Sequence, residues 1–404
     1  MRDEHDEVGL LRFATAGSVD DGKSTLIGRL LYDAKGLFED QLEALQENFD
    51  LARITDGLRA EREQGITIDV AYRYFATPRR RFIIADCPGH TQYTRNALTG
   101  MSHADVAVLL VDARAGIQAQ TRRHAYLASM LGLKGVVVCV NKMDLVDWSQ
   151  ARYREVEDEI LSALSSLELS TLKVMPLSAL EGANVTEASP HLDWYDGPTL
   201  LAWLENFESL PSKQVGGRLP VQMVLRPENG EGRSYAGRIS EGKLAVGDEV
   251  VIVPRGTPAH ISAIETFDGS LDEAEAPLSV SVRFTEEIDV SRGDLIATAP
   301  DAPEPRSNFD VTLACLGSQP LKPSGQFLMK VGAQKTEVVL HALQDKLDLE
   351  SLVHRPGVGE LALNDIGRAS LTCHEPVAAD AGGHFILIDP WTKETVAAGL
   401  IGAR

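Results

Sequence analysis

Cysteine is scarce in this chain of 404 residues. The four present, Cys87, Cys139, Cys315 and Cys373, show neither a CxxC pair nor a Cys/His ligand spacing. That excludes a disulfide scaffold and a thiolate zinc site, and the thiols are expected to be reduced in a cytoplasmic protein. Long apolar runs are also missing. The longest, around Val106–Val111, has the length of a strand and falls well short of the ~18 residues of a membrane span. The opening Met1-Arg-Asp-Glu-His-Asp-Glu is too acidic for a secretory leader. Basic side chains are in deficit, 39 against 59 acidic ones, for a net charge of −20. This argues against non-specific binding to nucleic acid or a membrane surface. With 44% hydrophobic and 24% charged residues and no low-complexity tract, the composition is that of an ordinary globular protein. Its length suits two or three domains of roughly 150 residues each.

The first half alternates short apolar runs with amphipathic stretches. The runs Leu11–Ala16, Phe82–Ala85, Val106–Val111, Val136–Val140 and Leu172–Met175 read as buried strands, and Ser24–Leu31, Gln118–Leu131 and Gln150–Leu167 as helices. This alternation predicts βαβ units and a mostly parallel sheet with helices on both faces. Beyond the polar stretch Glu208–Gly217 the period becomes strand-like and stays so. The expected architecture is an α/β domain at 1–210, then two all-β barrels at 216–300 and 305–404, with the Pro- and Ala-rich Ala297–Pro305 between them.

Gly17-Ser18-Val19-Asp20-Asp21-Gly22-Lys23-Ser24 satisfies GxxxxGK[ST] after a strand and at the start of a helix, followed by Thr25. Glycines let backbone N–H groups turn toward a phosphate, and the helix N-terminus adds its dipole. Lys23 is suited to neutralise the β- and γ-phosphates, and Ser24 to coordinate Mg²⁺. Asn141-Lys142-Met143-Asp144, ending a strand, resembles the base-reading element of GTPases. Asp144 can accept both N–H groups of the guanine N1 and 2-amino positions, which adenine lacks. Asn141 would brace the loop and contact the base, and the Lys142 stem would cover one ring face. Ser178-Ala179-Leu180 resembles the element whose backbone N–H receives the guanine oxygen. Asp86-Cys87-Pro88-Gly89-His90 resembles switch II, with Asp86 holding Mg²⁺ through water, Gly89 meeting the γ-phosphate and His90 orienting the attacking water. Gly65-Ile66-Thr67-Ile68-Asp69 resembles switch I, with Thr67 completing the Mg²⁺ shell. On this reading His90, Lys23 and Thr67 are the catalytic candidates, and Ser24, Thr67 and Asp86 the metal candidates. Cys87 is expected to be a packing residue.

These elements, in this order, resemble the elongation factor Tu / elongation factor 1-alpha superfamily. Narrower likeness lies in Asp20–Leu31 (DDGKSTLIGRLL), Asp56–Leu58 (DGL), Ala60–Phe75 (AEREQGITIDVAYRYF), Gln92–Asn96 (QYTRN), Gln120–His124 (QTRRH), Asn141–Asp147 (NKMDLVD) and Glu287–Asp294 (EIDVSRGD). Together they are similar to CysN, the GTPase-subunit family of bacterial sulfate adenylyltransferase. Cys87 and Thr91 depart from that family's usual Thr and Glu. The resemblance implies a GTP/GDP- and Mg²⁺-dependent GTPase that partners a small, CysD-type catalytic subunit in a heterodimer. That partner makes adenylylsulfate and pyrophosphate from ATP and sulfate. With no second GxxxxGK[ST] here, an adenylylsulfate kinase is expected only on a separate chain. No membrane or nucleic-acid partner is expected. The alternative is an elongation-factor-like GTPase delivering aminoacyl-tRNA. The charged segment Phe38–Phe49 reads either as a partner-binding helix or as a solvated insertion.

Overall fold

Six short segments become the strands of one sheet: β1 (Leu10–Gly17), β2 (Ala71–Ala76), β3 (Arg81–Asp86), β4 (Val106–Asp112), β5 (Gly135–Asn141) and β6 (Leu172–Pro176). The computed structural model describes residues 9–35, 51, 67–208, 216–226, 232–379 and 382–402. The expectations for Phe38–Phe49, for Gly65 and for Ile66 lie outside them. The sheet order is β2-β3-β1-β4-β5-β6. All neighbours are parallel except β2, which runs antiparallel to β3. Every residue of β4 and β5 is buried, as a central strand covered on both faces requires. The edge strand β2 is different, because Tyr72 and Tyr74 stand exposed beside Arg73 while Phe75 turns inward. Phe75 stacks on its cross-strand neighbour Phe82 with ring centroids 4.6 Å apart.

The connecting helices are α1 (Lys23–Asp33), α2 (Thr94–Met101), α3 (Ala119–Met130), α4 (Gln150–Leu164) and α5 (Leu200–Glu205). Ser149 caps α4 by accepting the Arg152 N–H, and Thr199 caps α5 by accepting that of Ala202. Helix α1 follows a glycine, Gly22 at φ 93°, which offers no side-chain cap. Its first N–H groups are therefore left for something else. Parallel strands put their carboxyl ends on one edge, so the loops after β1, β3, β5 and β6 gather there.

The second half is β-structured around two separate cores. The first is an antiparallel ladder of eight strands between Arg218 and Thr298. Its two end strands, Arg218–Pro220 and Met223–Leu225, are consecutive along the chain. Val221 N donates to Asp294 O on one side and Gln222 N to Ala236 O on the other. One bent strand thus joins both ends, and the barrel closes through the backbone itself. The second is a hydrogen-bonded closed barrel of six strands from Arg306–Cys315 to Thr395–Ile401. Cα packing separates the sheet from these two β bodies as compact units. Among the described residues no helix is long and apolar enough to cross a membrane.

Candidate nucleotide-binding site

The loop after β1 is shaped by backbone conformations that suit glycine: Gly17 at φ 144° and Gly22 at φ 93°, with Asp20 at φ 66°. A Cβ on Gly22 would fall 2.4 Å from the Asn141 amide nitrogen. Val19, Asp20, Gly22, Lys23, Ser24 and Thr25 line a cleft of about 310 Å³, joined by Thr67, Gly89, His90 and Lys142. The structure therefore brings together residues from the loops after β1, β3 and β5, at the uncapped end of α1. Gly17, Ser18, Asp21, Asn141 and Ser178 do not line this cleft; they are buried behind it.

Lys23 is buried, and its Nζ donates to the carbonyls of Ser18 at 2.6 Å and Gly17 at 3.4 Å. Burial pushes its pKa down, opposed by the charges of Asp86, Asp21 and Asp20. Two neutral carbonyls are weak partners for a buried ammonium, so an anion in the cleft would be a better one. Asp86, also buried, accepts from the Thr15 hydroxyl at 3.2 Å. Gly89 touches the phosphate loop so closely that a Cβ there would lie 2.5 Å from Lys23 Nζ and 2.9 Å from Gly17 O. His90 Nδ1 accepts the Gln92 N–H at 3.2 Å, which makes the neutral ring the Nε2–H tautomer. Cys87 is fully buried between the carbonyls of Ala85 and Ala97, and burial pushes its thiol pKa up. It is a packing residue, as expected.

Asn141 ties the site together. Its Nδ2 donates to Asp21 O at 2.7 Å and its Oδ1 accepts from Ala179 N at 2.9 Å. One amide thus fixes the phosphate loop against the loop after β6. Lys142, in the left-handed region at φ 63°, donates to Asp20 O and pairs with Asp112 at 2.9 Å. Burial works against the Asp112 carboxylate, yet hydrogen bonds from Arg114 and Lys142 outweigh it and hold its pKa well below the usual range. Arg29 of α1 donates to the carbonyls of Ala179 and of the exposed Leu180. In the turn after Lys142, Asp144 Oδ1 is buried and has no hydrogen-bond partner. An orphaned carboxylate oxygen costs about 1–3 kcal/mol, so a ligand offering N–H donors fits it.

The residues present fit guanine nucleotide and Mg²⁺: an uncapped helix end, a buried lysine and a serine at one cleft, the buried Asp86 near enough to act on that lysine, and an unpaired acceptor in the base-side turn. No cluster of three His, Cys, Asp or Glu side chains stands ready for a metal among the described residues. A Mg²⁺ held largely by phosphates and water requires no such cage.

Residues 9–212 match the elongation factor Tu GTP binding domain, and residues 308–402 the GTP-eEF1A C-terminal domain-like family. Sulfate adenylyltransferase subunit 1 of Vibrio atlanticus (strain LGP32) is 46% identical over 420 residues, spanning 99% of this chain and 88% of that protein. That of Chromobacterium violaceum is 45% identical over 419 residues, spanning 99% and 87%. The bifunctional enzyme CysN/CysC of Mycobacterium tuberculosis (strain ATCC 25618 / H37Rv) is 46% identical over 411 residues, 97% of this chain and 67% of that enzyme. The chain belongs to the sulfate adenylyltransferase subunit 1 family.

In this member of the subunit 1 family, some residues that build the site escaped sequence reasoning. His124 on α3 is fully buried, and its Nδ1 accepts the Gly17 N–H at 3.1 Å. Burial first, then the charges of Lys23 and Arg123, hold its pKa down to about 3, so the ring stays neutral. Thr121 lies 3.4 Å, hydroxyl to hydroxyl, from Ser18. Gln120–His124 entered the sequence reading only as a family likeness; the one further signal was a histidine on the inward face of a helix. Arg29 entered likewise only within the Asp20–Leu31 likeness, and Asp112 carried no signal, because an acid ending a strand is commonplace.

Proposed function

We propose that this chain is the GTP-hydrolysing subunit of a sulfate adenylyltransferase. It couples GTP hydrolysis to formation of adenylylsulfate and pyrophosphate from ATP and sulfate on a separate, CysD-type catalytic subunit. The observation that carries the guanine assignment is the buried, unpartnered Oδ1 of Asp144. The sulfate assignment rests on likeness to sulfate adenylyltransferase subunit 1 over 99% of this chain, whereas the elongation-factor likeness is to domain families matched at residues 9–212 and 308–402. Delivery of aminoacyl-tRNA is accordingly the weaker reading.

In this reading Asp144 receives the guanine N1 and 2-amino hydrogens, and the Lys142 stem lies along the ring. Asn141 already spends both polar atoms of its amide on Asp21 and Ala179, so it acts chiefly as the brace. The Ala179 N–H is likewise engaged, which leaves the Leu180 N–H to meet a base oxygen. The loop 17–25 cradles the phosphates, and Lys23 exchanges its two carbonyl partners for them. Ser24 and Asp86, with Thr67, would hold Mg²⁺, which neutralises charge on the terminal phosphates. His90 directs its Nε2–H at the attacking water and so positions it. The Gly89 N–H reports the γ-phosphate to the switch II loop. Domain limits at 1–210, 216–300 and 305–404, a cytoplasmic setting, and an adenylylsulfate kinase on another chain belong to the same proposal.

The test is pyrophosphate release from ATP and sulfate by this chain, by a small catalytic subunit, and by their mixture, each with and without GTP. Synthesis by the mixture, raised by GTP and absent from this chain alone, is expected. A mixture indifferent to GTP, or robust synthesis by this chain alone, overturns the proposal.

A further inference from the structure

Asp21 is the fifth residue of the phosphate-loop motif, yet its carboxylate faces away from the cleft. It is 97% buried (3% exposed), and its Oδ2 accepts the Ser18 N–H at 2.7 Å. Its backbone carbonyl accepts from Asn141 Nδ2, so the residue sits where the phosphate and base loops meet. Among the described residues that Ser18 N–H is the carboxylate's one hydrogen-bond donor. The nearby cations are committed elsewhere. Lys23 Nζ lies on Ser18 O and Gly17 O, and Lys142 Nζ lies between Asp20 O and Asp112. Asp112 adds a like charge from the end of β4, and burial together with that charge pushes the Asp21 pKa up against the pull of Ser18 N–H, Lys23 and Lys142. The adjacent Gly17 N–H is closed by a neutral acceptor, His124 Nδ1. The loop's first two N–H groups are thus both satisfied from behind, one by an uncharged ring and the other by an anion.

The anion is the odd choice. A carboxylate gives the Ser18 N–H its acceptor, but it also sets a negative charge behind a cradle built for a polyphosphate, in a setting where water screens little. Its hydrogen bond holds the loop's shape, and its charge opposes the ligand. An amide of the same shape would keep the first effect and remove the second. We propose that Asp21 is an affinity-determining residue whose buried charge shortens the residence of guanine nucleotide on this subunit. This rests on the guanine-nucleotide reading given above.

Asp21→Asn and Asp21→Ala separate the two effects. Dissociation of a fluorescent GDP analogue is followed by stopped flow at fixed Mg²⁺, with equilibrium titration of GDP and GTP alongside. Asp21→Asn is expected to slow dissociation and tighten both nucleotides on the order of tenfold, about 1.4 kcal/mol. Asp21→Ala, which also frees the Ser18 N–H, is expected to tighten them less or to weaken them. Circular dichroism melting checks that each variant is folded, and Asp21→Ser offers a neutral acceptor should the asparagine fail. Unchanged or faster release from folded Asp21→Asn or Asp21→Ser overturns the role of the charge. Failure of the unsubstituted protein to bind the GDP analogue overturns the guanine reading instead, and this proposal with it.

Discussion

Replacing Asp144 by Asn tests the base-side turn with almost no change of shape. In the structure Asp144 Oδ1 is buried and receives no hydrogen bond, so no neighbour dictates which way the new amide faces. With the amide oxygen at that position, one guanine N–H keeps a neutral acceptor, and the loss is one hydrogen bond plus the charge assistance of the other. That costs about 2 kcal/mol. With the amide nitrogen in that buried position, its N–H faces one guanine N–H away from water while the amide oxygen accepts the other, and the cost rises to about 4 kcal/mol. GTP affinity should therefore fall roughly thirty- to thousand-fold at 1.4 kcal/mol per decade. Xanthine nucleotide, which carries an oxygen where guanine carries the 2-amino group, should gain, because the amide N–H can donate to it. Isothermal titration of GTP, XTP and ATP against both proteins measures all three. The ligand-free variant should melt no lower than the parent, since no hydrogen bond to Oδ1 is lost. Unchanged GTP affinity would remove Asp144 from the base site. Equal losses for GTP and XTP in a destabilised protein would show disruption of the turn rather than a change in recognition.

His90→Ala should keep GTP binding and lower hydrolysis by about 10²-fold, the scale of a positioned water-orienting group, whereas Lys23→Ala should lose both. Single-turnover hydrolysis with the partner present reads this, and a parental rate in His90→Ala assigns the water to another group. A pH effect follows from His124, whose native pKa of about 3 lies below the ordinary value of 6.5. The unfolded chain takes up a proton that the native ring refuses, so stability falls as the pH drops from about 6.5 toward 3, by about 2 kcal/mol at pH 5. Urea melts between pH 7 and 4 should show this slope flattened in His124→Gln, and an equal slope in both proteins would place its origin in other groups.

Much of the first domain was legible because its rules are local. A strand covered on both faces must be apolar throughout, so β4 and β5 stand out as unbroken runs. The phosphate loop is legible because backbone N–H groups bind phosphate only where glycines permit the turn, and the motif's spacing encodes that turn. Ala71–Ala76 was missed as a strand because an exposed edge mixes tyrosines with Arg73 and carries no apolar run. Thr94–Met101 was missed as a helix because Gly100 and two threonines lower its helix signal; Gly100 is accommodated over Cys87, where a Cβ would meet the sulfur at 2.5 Å.

The sequence by itself determined the ligand class, the order of the elements and the change from a helical to a strand-like period, since each depends on residues close together in the chain. Only the tertiary structure decided which groups face the cleft. Gly17 meets His124 across 107 positions, Asp21 meets Asn141 across 120, and Asn141 meets Ala179 across 38. No pattern in the chain predicts that one amide, that of Asn141, reaches both Asp21 and Ala179, or that Arg218–Leu225 bends to close a barrel with both its halves. These outcomes follow from satisfying buried polar groups among residues far apart in sequence, a condition imposed only once the chain has packed.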